Sequence, residues 1–362
     1  MDRDRGRVMG IDLDDPDVFR KFDPQGMLAR IAELPMQCRE AWRRVQSLEL
    51  PSDYLQVEGV VILGIGGSAI GGDLLRTLVN RECPVPILVN RDYDVPAFVG
   101  PQTLVIASSY SGKTEETLSA FEEAWERGAK LLAVTTDGEL ARRARALGIP
   151  LLLFDYKSQP RAALGHSFIL LLGALNRLGL VADKSADLDE AIEVMEALQR
   201  EINEEVPLTE NPAKRLAERL HGRLPVVYGA EHLAEVARRW KTQFNENSKA
   251  WSFFEQLPEL NHNAVVGYEF PTELADRILV IILSSSLYRP RIRVRFQVTK
   301  EILAKRRVDC EEVEALGRSP LAQMLSTIHF GDYVSYYLAM LYQVDPTPVG
   351  IIDYLKERLA QL

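Results

Sequence analysis

Short, unbroken apolar runs alternate along this chain with stretches whose apolar residues recur every three or four positions. The first runs are Gly59-Val60-Val61-Ile62-Leu63, Pro86-Ile87-Leu88-Val89, Thr103-Leu104-Val105-Ile106-Ala107, Lys130-Leu131-Leu132-Ala133-Val134 and Pro150-Leu151-Leu152-Leu153-Phe154. A run without polar alternation is the pattern of a strand buried on both faces. Helical spacings lie between them: Leu74, Leu75 and Leu78, then Leu118, Phe121 and Trp125. Strands of this kind alternating with helices predict an α/β fold, a parallel sheet covered by helices. Residues 163–205 read as helical. The strand pattern restarts at Leu224-Pro225-Val226-Val227-Tyr228-Gly229. A helix follows with Leu233, Val236, Ala237, Trp240 and Phe244 on one face, and then the very apolar run Ile278-Leu279-Val280-Ile281-Ile282-Leu283.

The two halves echo each other. The run at 104–107 ends in Ser108-Ser109 and the run at 278–283 ends in Ser284-Ser285-Ser286, each ahead of a helix. The expected architecture is two doubly wound parallel-sheet α/β domains related by internal duplication, with flanking helices. The pattern divides the chain into a helical segment at 1–58, a first domain at 59–160, connecting helices at 161–205, a second domain at 206–310 and C-terminal helices at 311–362. The last part holds one helix around 321–341 and another around 350–359.

Two loops carry candidate chemistry. Ser108-Ser109-Tyr110-Ser111-Gly112-Lys113-Thr114 joins a strand to a helix. In an open parallel sheet, ligands sit at the carboxyl ends of strands. Helix N-termini there present unpaired N–H groups and the positive end of a dipole, which suit an anion. Ser109, Ser111 and Thr114 are the candidate donors. Gly112 lets the backbone approach the ligand, and Lys113 either adds a charge or points to solvent. An ordinary helix cap by Ser111 or Thr114 is the competing reading. Four Ser or Thr hydroxyls and a glycine in seven residues favour the anion, a phosphate. Gly64-Ile65-Gly66-Gly67-Ser68-Ala69 also opens a helix after a strand and fits a loose dinucleotide pattern. The next strand ends in Asn90-Arg91 and not in an acidic residue, so an NADP site is a minority reading. Gly67 and Ser68 are preferred as further ligands beside the Ser109 loop.

Composition narrows the partners. Lys plus Arg total 43 against 52 Asp plus Glu, a formal net charge of −9. That sign disfavours nucleic acid, which calls for a basic face. No apolar stretch reaches the ~18 residues of a transmembrane helix, so no membrane span is expected. Residues 1–7 are charged with no apolar segment behind them, so no secretory signal is expected. Three scattered cysteines, Cys38, Cys83 and Cys310, suit a reduced, cytoplasmic protein and not a disulfide framework. None of the five histidines stands at metal-ligand spacing, so no metal site is expected.

Candidate acid–base groups lie mostly in the second half. Glu246, in Asn245-Glu246-Asn247-Ser248-Lys249, falls at the C-terminal end of the Trp240 and Phe244 helix. The negative dipole end disfavours an ionised carboxylate there, which suits a proton acceptor. A solvated helix end explains the same residue more simply. His262, in Leu257-Pro258-Glu259-Leu260-Asn261-His262-Asn263, can trade a proton near neutrality or simply be hydrogen-bonded in a loop. Arg161, after Gln159-Pro160, suits developing negative charge or a plain surface position. Lys356, in Ile351-Ile352-Asp353-Tyr354-Leu355-Lys356, reads on its own as part of a solvated helix face. His166, His221, His232 and His329 read as structural.

Together these segments resemble the bifunctional phosphoglucose/phosphomannose isomerases, built from two sugar isomerase (SIS) domains. The resemblance spans residues 61–359. Beyond the Gly64 to Asp73 and Ser109 to Thr117 segments, its carriers are Pro160-Arg161-Ala162-Ala163-Leu164-Gly165, the Glu246 and His262 segments, and Gly331-Asp332-Tyr333-Val334-Ser335. It implies a hexose 6-phosphate substrate, with glucose 6-phosphate or mannose 6-phosphate converted to fructose 6-phosphate, and neither cofactor nor metal. It implies phosphate contacts from Ser68, Ser109, Ser111 and Thr114, with Gly67 beside them. Glu246 would move a proton between C1 and C2 through a cis-enediol, and Arg161 would stabilise the enediolate. His262 and Lys356 would assist ring opening. A homodimer is implied, in which a partner subunit could supply His262. Thr347, in Asp345-Pro346-Thr347-Pro348, is the candidate for leaving room for either epimer. Lys113 departs from the Asn more common in the family, and Ala264 from an acidic residue. The alternatives are a non-catalytic phosphosugar-binding protein and another SIS phosphosugar enzyme, including an amino-sugar transferase, which would need an ammonia source.

Overall fold

The computed structural model describes residues 11–359 and 361. The first ten residues of the expected N-terminal segment, including the charged stretch at 1–7, lie outside the described residues. Among those described, nine strands form two parallel sheets. The first contains β1 (Gly59–Leu63), β2 (Ile87–Asn90), β3 (Thr103–Ser109), β4 (Lys130–Thr135) and β5 (Leu151–Leu153) in the order β2-β1-β3-β4-β5. The second contains β6 (Leu224–Ala230), β7 (Phe253–Leu257), β8 (Ile278–Ser284) and β9 (Cys310–Glu314) in the order β7-β6-β8-β9. The apolar runs of the sequence become central strands: every residue of β1 and β3 is buried.

The contact pattern divides the chain into two compact units. One comprises Ala32–Met195 and Leu316–Leu325 and holds the five-stranded sheet. The other comprises, among the described residues, those up to Ile31, Glu196–Ala315 and those from Ser326 on, and holds the four-stranded sheet. In the first unit, Val61, Leu63, Val105 and Leu131 pack under Phe121 and Leu140 of the covering helices. Helices Leu34–Val45 and Leu164–Arg177 approach closely there, because a Cβ on Gly173 would fall 2.1 Å from Val45 Cγ1.

The duplication is visible in strand order. Reading from β2 and from β7, the sheets match strand for strand: β2 with β7, β1 with β6, β3 with β8, β4 with β9. Helices Gly67–Val79 and Glu115–Glu126 follow β1 and β3, and helices Ala234–Glu246 and Pro290–Lys305 follow β6 and β8. The helical stretch after β5 is two helices, Leu164–Arg177 and Ser185–Ile202, broken by Gly179 at a φ of +69°. The expected C-terminal pair is present as Pro320–Leu341 and Gly350–Leu359.

Candidate functional site

In the first unit, two helix N-termini meet at the carboxyl end of the sheet. β3 ends at Ser109, whose hydroxyl lies 2.9 Å from that of Thr114. Thr114 holds the extended backbone of an N-cap residue before Glu115–Glu126, yet its side chain makes no cap hydrogen bond. The hydroxyl closes the loop onto Ser109 and leaves the first-turn N–H groups to another acceptor. Gly112 makes the turn at a φ of +62°, and a Cβ there would fall 1.8 Å from Asp137 O, so only glycine fits. Ser68, in the first turn of Gly67–Val79, accepts from Tyr110 N at 3.1 Å and ties that helix to the loop. Ser111 and Lys113 are both exposed, and the Lys113 N–H donates to Ser111 Oγ at 3.2 Å.

Arg161 belongs to the same region. It is 2% exposed, so the surface reading of this residue fails. Gly67 faces its backbone closely enough that a Cβ would sit 2.9 Å from Pro160 C and 3.0 Å from Arg161 N. The glycine therefore brings the arginine segment against the N-terminus of Gly67–Val79. Gly67, Ser68, Ser109, Thr114 and Arg161 are thus assembled around one end of the sheet, with Ser111 at the edge. Hydroxyls and helix N-termini together are suited to a dianionic phosphate. Arg91, which an NADP 2′-phosphate would call on, pairs instead with buried Asp73.

Sequence reasoning overlooks Tyr110, which organises the loop. Its hydroxyl donates to Tyr156 O at 2.5 Å and accepts from Ser158 N at 2.8 Å, and its carbonyl accepts from Thr136 Oγ1 at 2.7 Å. The available signal is a large aromatic residue inside a run of serines and glycine.

In the second unit, Glu246 is the half-buried last residue of helix Ala234–Glu246. The residues after it are fastened to helix Pro320–Leu341. Asn247 Nδ2 donates to Ser335 Oγ at 3.0 Å, and Ser248 Oγ donates to Ser335 O at 2.6 Å. The Gly331-Asp332-Tyr333-Val334-Ser335 segment supports this end of the helix in two further ways. Gly331 admits the Trp240 ring, which would lie 2.2 Å from an added Cβ. Asp332 accepts from Arg239 at 2.8 Å in a buried ion pair. Lys249 Nζ donates to Glu246 O at 2.5 Å and to Pro346 O at 3.0 Å, which brings the segment of buried Thr347 into the same cluster.

His262 and Lys356 lie outside that hydrogen-bonded cluster, and both are exposed. His262 ends the short turn Glu259–His262. Its neighbour Asn261 donates to Thr299 Oγ1 at 2.9 Å and accepts from Arg295 at 3.2 Å, which pins the turn to helix Pro290–Lys305. Lys356 lies on Gly350–Leu359, a helix in which no residue is buried.

The second sheet fills the place where the first has its hydroxyl loop. Tyr288 is buried across the ends of β6 and β8, its hydroxyl accepting from Ala230 N at 3.2 Å and donating to Leu283 O at 3.0 Å. Beside it, Ser285 Oγ lies 3.4 Å from His232 Nε2. Burial pushes the Tyr288 hydroxyl well above the usual tyrosine range, so it stays neutral and able to donate. Among the described residues, no three His, Cys, Asp or Glu side chains gather as a metal ion would require. None of the described helices is long and apolar enough to cross a membrane.

Residues 209–359 match the bacterial phospho-glucose isomerase C-terminal SIS domain family. The chain is 43% identical to a bifunctional phosphoglucose/phosphomannose isomerase of Caldicellulosiruptor bescii, over 93% of this chain and 99% of the relative. It is 38% identical to a protein of the same name from Aquifex aeolicus, over 86% of this chain and 93% of the relative. Among solved structures, a hypothetical protein from Thermus thermophilus shares the fold with a TM-score of 0.73 at 18% identity, covering 95% of this chain and 92% of that one.

Proposed function

The chain belongs to the bifunctional phosphoglucose/phosphomannose isomerase family, and from that membership we propose that it interconverts glucose 6-phosphate and mannose 6-phosphate with fructose 6-phosphate. The two aldoses differ only in configuration at C2. Removing the C2 proton from the open-chain aldose flattens that centre, so both epimers and the ketose pass through one cis-enediol. Glu246 is assigned to this transfer. Its carboxylate takes the proton from C2 and returns it to C1, while O1 gains a proton and O2 gives one up, with no net change of atoms or electrons.

Ser68, Ser109, Ser111 and Thr114, with the main chain at Gly67, are assigned to the phosphate. That group is remote from the reacting carbons and identical in all three sugars, so one grip serves every substrate. Arg161 is assigned to the negative charge of the enediolate, since a buried guanidinium is worth more there than in water. His262 and Lys356 are assigned to ring opening, and Thr347 to the space around C2. The protein is further proposed to act in the cytoplasm as a homodimer, with His262 supplied across the interface.

The observation that carries the phosphosugar reading is the assembly of two helix N-termini, paired hydroxyls and buried Arg161 at one end of the first sheet. The test is exchange of the C2 proton of each aldose phosphate in D2O, followed by NMR. Both aldoses are expected to exchange and to yield fructose 6-phosphate. Glu246→Gln is expected to slow exchange by about 10²- to 10⁴-fold while phosphosugar affinity holds. Binding with neither exchange nor fructose 6-phosphate formation in the wild type would leave a phosphosugar-binding protein and sink the isomerase.

A further inference from the structure

We propose that Lys249 is a positioning residue that locks the main chain of Glu246 to the segment carrying Thr347, and thereby sets the balance between the two epimeric substrates. This rests on the roles assigned above to Glu246 and Thr347.

Lys249 stands at a φ of +54°, in the left-handed region. Glycine reaches that conformation at lower cost, so a lysine there points to a use for its side chain. The turn carries the ammonium back over the helix end, where it donates to Glu246 O at 2.5 Å and Pro346 O at 3.0 Å. The last carbonyls of a helix lack intrahelical partners, and a cation is favoured beside them. One donor group therefore clips two strategic carbonyls. The first belongs to the residue assigned as the base. The second directly precedes Thr347, which is 6% exposed and whose N–H is fixed on Asp345 Oδ1 at 2.8 Å.

The helix end does not depend on this clip for its existence. Asn247 and Ser248 hold it to Ser335, and Ala250 N bonds back to Phe244 O at 3.0 Å. Lys249 adds a fixed relation between the base and the 346–347 segment. Proton transfer is sensitive to displacements of an ångström or less. The position of Thr347 relative to the base decides how well each C2 epimer presents its proton, because the two epimers differ there and nowhere else.

The experiment compares Lys249→Met, Lys249→Arg and Lys249→Gly with wild type, using steady-state kinetics on both aldose phosphates. Methionine keeps much of the chain length and removes the donor. Glycine suits the left-handed backbone and secures a folded variant lacking the ammonium. For the Met and Gly variants, kcat is expected to fall about 10- to 100-fold with KM little changed. The ratio of kcat/KM for the glucose and mannose phosphates is expected to move at least about threefold. Arginine, which can also donate to two carbonyls, is expected to recover much of both. A folded Gly variant with wild-type kcat and epimer ratio overturns the proposal. Parallel measurement of Glu246→Gln separates the two readings. If Glu246→Gln is fully active, the assignment of the base falls and this inference with it. If Glu246→Gln is inactive while the Lys249 variants behave as wild type, only this inference falls.

Discussion

Gly112 constrains the 108–114 loop more than the unusual lysine that follows it. Lys113 is exposed, whereas any side chain at 112 must meet Asp137 O in a left-handed backbone. Gly112→Ala is therefore expected to shift the loop, lowering stability by about 1–3 kcal/mol and raising KM for all three sugars while kcat changes less. Lys113→Asn is expected to leave melting temperature and KM near wild type. Thermal melts and kinetics on the same preparations check both. The loop hydroxyls are legible in the sequence because their spacing is local. The burial of Arg161 is not legible, because it follows from contact with the backbone beside Gly67, distant in the chain. Lys249 is silent for the same reason: its partner Pro346 comes from another segment.

At the scale of elements, the strands that escape a reading of apolar runs are the polar edges of the second sheet. β7 reads Phe-Phe-Glu-Gln-Leu and β9 Cys-Glu-Glu-Val-Glu, each pairing with one neighbour only. An edge strand needs less apolar surface than a central one, and charge there discourages pairing with other chains. Helices Gly138–Leu147 and Pro212–Leu220 escape for a related reason, being short and rich in arginine, lysine and glutamate. Helix Ala234–Glu246 is legible from its apolar face, but the polar pair behind it is not. Arg239 and Asp332 are both buried and joined at 2.8 Å. Removing one partner leaves a buried charge uncompensated, so Asp332→Ala is expected to destabilise the protein by about 3–5 kcal/mol. The double replacement Arg239→Met with Asp332→Ala is expected to recover part of that loss. Denaturant unfolding of the set gives the coupling directly.

For the whole chain, the duplication seen in sequence as two similar strand ends becomes two sheets with matching strand order. The first sheet ends in the hydroxyl loop at 108–114. In the other, Tyr288 bridges β6 and β8 at the corresponding place, and no local sequence signal announces that. The proposed homodimer bears on the remaining surface. Phe270 is 78% exposed and Ile351 is 87% exposed, with Val266, Tyr354 and Leu355 also open. These exposed apolar groups are where the proposed dimer is expected to bury surface. Light scattering is expected to give twice the chain mass, and Ile351→Glu with Leu355→Glu is expected to shift it toward the monomer. A monomeric wild type would remove the dimer from the proposal.

The helix Gly350–Leu359 gives this a consequence for the living cell. Ten residues with no buried side chain fall short of the length at which an isolated helix holds its shape in water. Lys356 rides on that helix. If a second copy supplies cover in the proposed dimer, the ring opening proposed for Lys356 becomes subject to mass action. Turnover per molecule would then fall on dilution, and flux through this step would rise more steeply than the number of chains made.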